Sequence, residues 1–243
     1  MSAKLPELTS PFSLTDLTDG AAYQFPSLKL NQPNLFTRIG SLGALVVKVP
    51  SDRGNADFKK YVRDGETDPQ DIRANETLER FENLDKALQR YPAFSATKTS
   101  SGDSIAHFLV VHRLQHSRLE PCPHVAVPPT RFIVLARRRW LFGPYITPAI
   151  VQQRMPGIRL FDMVDPMEGV FLSQFSRLKP KLRHHLEPLM NSDISIHIDW
   201  NIENFVWDEQ ATKLYYVDSK PTTLASRFSV EHNLASLRDL LLQ

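Results

Sequence analysis

The sequence is short of several things, and each shortage closes a class. It has a single cysteine, Cys122. That excludes an intramolecular disulfide and any zinc site built from several cysteines, and it fits a reducing compartment. Long apolar runs are missing as well. Stretches such as Ala44 to Val47 and Phe132 to Ala136 are far too short to span a bilayer, and Met1 to Asp16 holds no signal-type apolar run behind a basic start. Neither sign of charge dominates. Lys plus Arg number 29 against 27 Asp plus Glu, a net +2, which gives no reason to expect nucleic acid as the main partner. The expectation is a cytoplasmic protein without a membrane span; a protein delivered into another cell would have the same composition.

What remains is ordinary globular composition, 42% hydrophobic and 23% charged, over 243 residues. That length suits one large domain or two tightly packed lobes. Residues 1–20 are polar, rich in Ser, Thr and Pro, and read as a loosely ordered lead-in. Short β-type runs follow: Tyr23 to Leu30, a turn cluster Asn31 to Asn34, Leu35 to Ile39, a tight turn Gly40 to Gly43, and Ala44 to Val49. Together they predict an antiparallel meander. Residues 51–72 read as a polar loop or insertion. Leu78, Phe81, Leu84 and Leu88 then recur at helical spacing over about 72–90, and Tyr91-Pro92 stops the helix.

Between 95 and 130 the pattern is ambiguous. Ile105 to Leu119 fits a helix with Ile105, Phe108, Leu109 and Leu119 inward, or a strand around Phe108 to Val111. The prolines of Glu120 to Pro129 make that segment a loop. Arg131 to Trp140 and Ala149 to Met155 predict paired strands about the Gly143-Pro144 turn region. Beyond Met155-Pro156-Gly157 the character becomes helical. A short helix is expected at Leu160 to Val164, one or two more around 168–190 interrupted near Pro180, and a last one from Val230 to Leu242. Ile194 to Ile198 and Leu214 to Val217 read as short strands.

The chemistry-bearing constellation lies between those two strands. His197-Ile198-Asp199-Trp200-Asn201-Ile202-Glu203-Asn204 has the spacing H-x-D-x4-N, and an apolar approach leads on to Val217-Asp218. Phosphoryl transfer needs one carboxylate to take the proton of the attacking hydroxyl. It also needs an amide and a second carboxylate to hold magnesium against the phosphates. In this pattern the chain resembles protein kinases and aminoglycoside-phosphotransferase-like enzymes. The resemblance implies that Asp199 is the catalytic acid, and that Asn204 and Asp218 are magnesium ligands that also bind the nucleotide.

The resemblance extends over roughly residues 21–225. It implies an α+β, bilobal protein-kinase-like fold, with an antiparallel-sheet N-lobe carrying one main helix (21–154) and a reduced, mostly helical C-lobe (155–243). Lys48, alternating with valines on the third strand, takes the place of the phosphate-binding lysine. Its partner acid would come from the helix at 72–90, with Glu76 first and Glu79 or Glu82 as alternatives. Backbone groups near Gln153 and Met155 would meet the adenine. The implied activity is transfer of the γ-phosphoryl group of Mg-ATP to a hydroxyl of a small molecule or protein; the alternative is a pseudokinase that binds nucleotide or a partner without transfer.

Three departures belong beside this. There is no G-x-G-x-x-G loop, Ser219-Lys220-Pro221 stands where Phe-Gly would follow the acid, and no A-P-E segment follows. Other features have bland readings. His112 and His116 share the i, i+4 spacing of zinc proteases, but Arg113 stands where the required glutamate would be, so they read as partly buried or surface histidines. Arg137-Arg138-Arg139 reads as a solvated hairpin edge. Cys122, between two prolines, has no visible activating partner.

Overall fold

The structure is a computed structural model that describes residues 8, 12–31, 37–51, 109, 112–113, 115–139, 143–163, 173–218, 234–235 and 237–239. The chain divides into two compact units. One comprises Met1–Leu114 and Pro129–Arg154, the other Gln115–Pro128 and Met155–Gln243. The architecture is α+β, with a mixed sheet and few helices. The expected helix at 72–90, with Glu76, Glu79 and Glu82, lies outside the described residues, as does nearly all of the 51–72 insertion.

The first unit is built on a five-stranded sheet. Its strands are β1 (Ala22–Tyr23), β2 (Thr37–Leu42), β3 (Leu45–Pro50), β4 (Thr130–Arg139) and β5 (Gly143–Gln153), in the order β1-β4-β5-β3-β2. Leu45, Val47 and Val49 are buried while Val46, Lys48 and Pro50 are half-buried, as period-two alternation requires. β2 and β3 pair with Leu42 opposite Leu45. The tight turn expected over Gly40 to Gly43 is therefore only Gly43-Ala44, with Gly43 at φ +60°. That matches the two-residue hairpin turns that start on glycine.

The antiparallel meander needs two corrections. β1 runs parallel to β4, with Ala22 opposite Val134 and Tyr23 opposite Leu135, so the sheet is mixed. The run Tyr23 to Leu30 is also not one strand. Pro26 has no N–H to give a ladder, and the chain turns there, Leu28 N–H donating to the Phe25 carbonyl at 3.1 Å. Asn31 then bridges Ile39 through a reciprocal pair of bonds at 2.8 and 2.7 Å.

The described residues of the lead-in, 8 and 12–20, make specific contacts with the sheet. Leu17 is 3% exposed and joins Tyr23, Phe25 and Leu28 over Leu45, Val47, Val49, Ile133, Leu135, Ala149 and Val151. Asp19 accepts the Phe132 N–H at 2.8 Å, and Gly20 N–H donates to the Phe132 carbonyl at 2.7 Å. The ambiguity at 105–119 settles as helix at the described positions 109, 112–113 and 115–119, with Leu109 and Leu119 fully buried.

In the second unit, helix α1 (Ser173–Met190) presents Leu178, Leu182, Leu186 and Leu189 to the core, all fully buried. Each is worth about 2–3 kcal/mol on burial. Pro180 and Pro188 lie inside it. The expected interruption at Pro180 is absent because that residue sits on the exposed face, where a bend costs no core packing. A three-stranded sheet, β6 (Ile158–Arg159), β7 (Phe205–Asp208) and β8 (Lys213–Tyr216), packs Trp207, Phe205, Leu214 and Tyr216 into the same core. The second unit is thus less purely helical than expected. Ile194 to Ile198 is not a strand; Asp193–His197 forms a 3-10 turn. Among the described residues, no helix is long and apolar enough to cross a membrane.

Candidate active site

The site begins with an acid held between two core residues. Ile198 and Trp200 are fully buried and Asp199 is half-buried, so the chain is pinned on both sides of the carboxylate. Trp200 is fixed further by its indole N–H, which donates to the Ser195 carbonyl at 3.0 Å, and by stacking on Phe205 with ring centroids 5.8 Å apart. The polar residues that follow fold the loop on itself. Asn201 N–H donates to Asp199 Oδ1 at 3.3 Å, and Glu203 N–H to Asn201 Oδ1 at 3.1 Å. These are the local bonds by which Asp and Asn make turns. A 3-10 turn over Ile202–Asn204 delivers the chain to β7.

Asn204 is buried, and its Nδ2 donates to the Asp199 carbonyl at 3.2 Å. A carbonyl can only accept, so the amide nitrogen faces Asp199 and the amide oxygen is turned away. The β7–β8 hairpin then closes the figure. Phe205 pairs with Tyr216, and Val217 N–H donates to the Asn204 carbonyl at 2.8 Å. Asn204 enters the hairpin and Asp218 leaves it at the same end. Asp199, Asn204 and Asp218 are thereby gathered within one unit.

Tyr216 joins these residues. Asp199 N–H donates to its hydroxyl at 3.0 Å. Burial pushes the phenol well above its ordinary pKa, and the charges of Asp218 and then Asp199 add to the effect, so the hydroxyl stays neutral. Sequence reasoning missed this residue. The signal available was alternation on β8, which turns Leu214 and Tyr216 inward and leaves a phenol needing a partner.

A charged pair borders the same loop. Arg159 on β6 donates to both carboxylate oxygens of Asp162 at 3.0 and 2.8 Å. That bond chiefly holds the guanidinium protonated, with Glu203 adding its charge.

The other expected residues fall elsewhere. Lys48 lies on β3 opposite Ile39 and Ile150, on the face away from the Val47 core. Gln153 ends β5, its N–H donating to the Pro129 carbonyl at 3.0 Å, and Arg154 N–H donates to the Ala44 carbonyl at 2.8 Å. Both N–H groups are therefore taken within the first unit. Met155 opens the stretch of chain that belongs to the second. Lys220 lies outside the described residues. His116 is 2% exposed, its Nε2 3.1 Å from the Pro128 carbonyl and its Nδ1 3.1 Å from Glu120, which gives it a structural role.

The donor set suits magnesium in kind. One amide oxygen and one carboxylate are hard ligands, and that ion commonly takes one or two carboxylates plus substrate phosphates. Among the described residues no group of three His, Cys, Asp or Glu forms an all-protein metal cage. Comparison with protein-family models and with curated proteins gives no match.

Proposed function

We propose that this chain is a phosphotransferase of the protein-kinase-like type, moving the γ-phosphoryl group of ATP to a hydroxyl of a small molecule or a protein. The observation that carries the reading is the placing of Asn204 and Asp218 at one end of the β7–β8 hairpin, with Asp199 bonded to the same loop.

The chain's own groups take the following parts. Asp199 orients the acceptor hydroxyl and takes its proton as the oxygen bonds to the γ-phosphorus, while the bond to the bridging oxygen breaks and ADP leaves. Asn204 Oδ1 and the Asp218 carboxylate hold magnesium. The ion, when bound, supplies charge neutralisation on the phosphates. Lys48 for phosphate, and the Gln153 carbonyl with the Met155 N–H for adenine, are assigned from the family resemblance. Glu76 as the partner of Lys48 stands on the resemblance alone.

The test is thermal shift with ATP, with and without magnesium, followed by transfer assays. Asp218→Ala and Asn204→Ala are expected to lose the magnesium-dependent shift. Asp199→Asn is expected to keep it and to slow transfer by at least about a hundredfold, the typical worth of a positioned base. A wild-type shift in both metal-site variants would reject the ligand assignment. A shift without any transfer would make the chain a nucleotide-binding module.

A further inference from the structure

We propose that Tyr216 is a positioning residue that fixes Asp199 from the strand that leads to Asp218. The consequence for rate rests on the phosphotransferase reading; the brace itself does not. Tyr216 is fully buried and its ring packs on Phe205, with centroids 5.4 Å apart. Its backbone N–H donates to the Ala126 carbonyl at 2.9 Å, and Ala126 N–H donates to the Leu214 carbonyl at 2.8 Å, so β8 is tied to the 115–128 segment on both sides of Tyr215. The hydroxyl is thus a fixed point, and the group it holds is the backbone N–H of Asp199, at 3.0 Å. The intervening residues could satisfy that N–H in other ways, yet the bond comes from a side chain 17 positions along the chain.

The reason lies in the loop's own bonds. Asp199 is held by Asn204 Nδ2 through its carbonyl and by Asn201 through its carboxylate. The carboxylate contact is internal to the loop, while Asn204 is itself bonded through its carbonyl to Val217 at 2.8 Å. The Tyr216 hydroxyl ties the loop to the hairpin strand that carries Asp218. The hydroxyl bond joins the Asn204–Val217 bond in holding Asp199 to the chain that leads to Asp218, and a displacement of about 1 Å at such a site is enough to cost a hundredfold in rate.

Tyr216→Phe removes only the hydroxyl and keeps the ring packing. Leu214→Val, a truncation on the same strand that leaves the hydroxyl in place, controls for loss of stability. Amide exchange of Asp199, followed by nitrogen-15 NMR, is expected to quicken by about fivefold or more in Tyr216→Phe, the worth of one lost hydrogen bond, and to stay unchanged relative to Val217 in Leu214→Val. In transfer assays, Tyr216→Phe is expected to lower kcat by about tenfold or more with KM for Mg-ATP within about twofold, the pattern of a misplaced base.

Unchanged Asp199 exchange in Tyr216→Phe overturns the brace. Faster exchange with an unchanged kcat overturns its part in positioning, as does an equal loss of kcat in Leu214→Val. A wild-type protein that transfers nothing, together with faster exchange in the variant, sinks the phosphotransferase reading and upholds the brace.

Discussion

At Gly157 the backbone has φ +115°, and a Cβ there would meet the Trp207 carbonyl oxygen, lying 2.7 Å from the carbonyl carbon and 3.0 Å from the Asp208 nitrogen. Those atoms belong to β7 and cannot swing aside as a side-chain tip would. Gly157→Ala therefore combines a strained backbone with overpacking, each costing about 1–3 kcal/mol. We expect the variant to unfold at lower urea, with a loss of about 3 kcal/mol; a loss under about 0.5 kcal/mol, within the range of ordinary surface changes, would contradict the close approach. The same scale shows what the sequence made legible at the site. Of the hairpin beside Asn204, the second strand at Leu214 to Val217 was legible, whereas the first, Phe205–Asp208, was not, because the strand was expected at Ile194 to Ile198. Tyr216 was not visible, since a tyrosine on an apolar strand has the same pattern whether its hydroxyl meets water or the backbone of a distant loop. Arg159 was hidden for a different reason: its nearness to Glu203 depends on β6 pairing with β7, a contact of distant segments.

Elements were legible where one period ran unbroken. Leu178, Leu182, Leu186 and Leu189 mark α1, and the valines around Lys48 mark β3. Short apolar runs were not. Ile194 to Ile198 has the composition of a strand, but with no strand paired to it among the described residues the chain closes a 3-10 turn instead, Ile198 N–H donating to the Ser195 carbonyl at 3.3 Å. β1 failed in the opposite sense, because parallel pairing to a strand more than a hundred residues later leaves no local signal. Pro180 makes the testable case at this scale. It stands exposed in the middle of an 18-residue helix, where it removes one backbone bond and sets its ring against the preceding turn. Pro180→Ala restores the donor. The helix gain of up to about 3 kcal/mol is offset by about 0.4–1 kcal/mol from a freer unfolded chain, so the melting temperature is expected to rise. A fall would mean that the proline ring is itself needed for the packing of the leucine face.

The whole molecule raises the question of control. Many kinases wait for a phosphate on a mobile segment, which is captured by an arginine lying beside the catalytic acid. In this chain the residue between His197 and Asp199 is Ile198, and it is 0% exposed, packed in the core of the second unit with Trp200, Phe205 and Tyr216. That position is closed twice over: it carries no charge, and it faces apolar neighbours rather than solvent. A captured phosphate would have to sit near the loop without that anchor, and Arg159, which feels the charge of Glu203, is already held by Asp162. Meanwhile the acid is held by contacts that need no switch, among them the Asn201 and Asn204 bonds and the Tyr216 hydroxyl. On the phosphotransferase reading, activity is therefore expected to be constitutive and limited by the supply of acceptor. Protein treated with a phosphatase and then assayed with Mg-ATP and its acceptor should work at the untreated rate. Loss of activity on dephosphorylation, restored by phosphate placed within residues 219–229, would show that a switch exists and that an anion-binding group elsewhere takes the role an arginine at position 198 would have had.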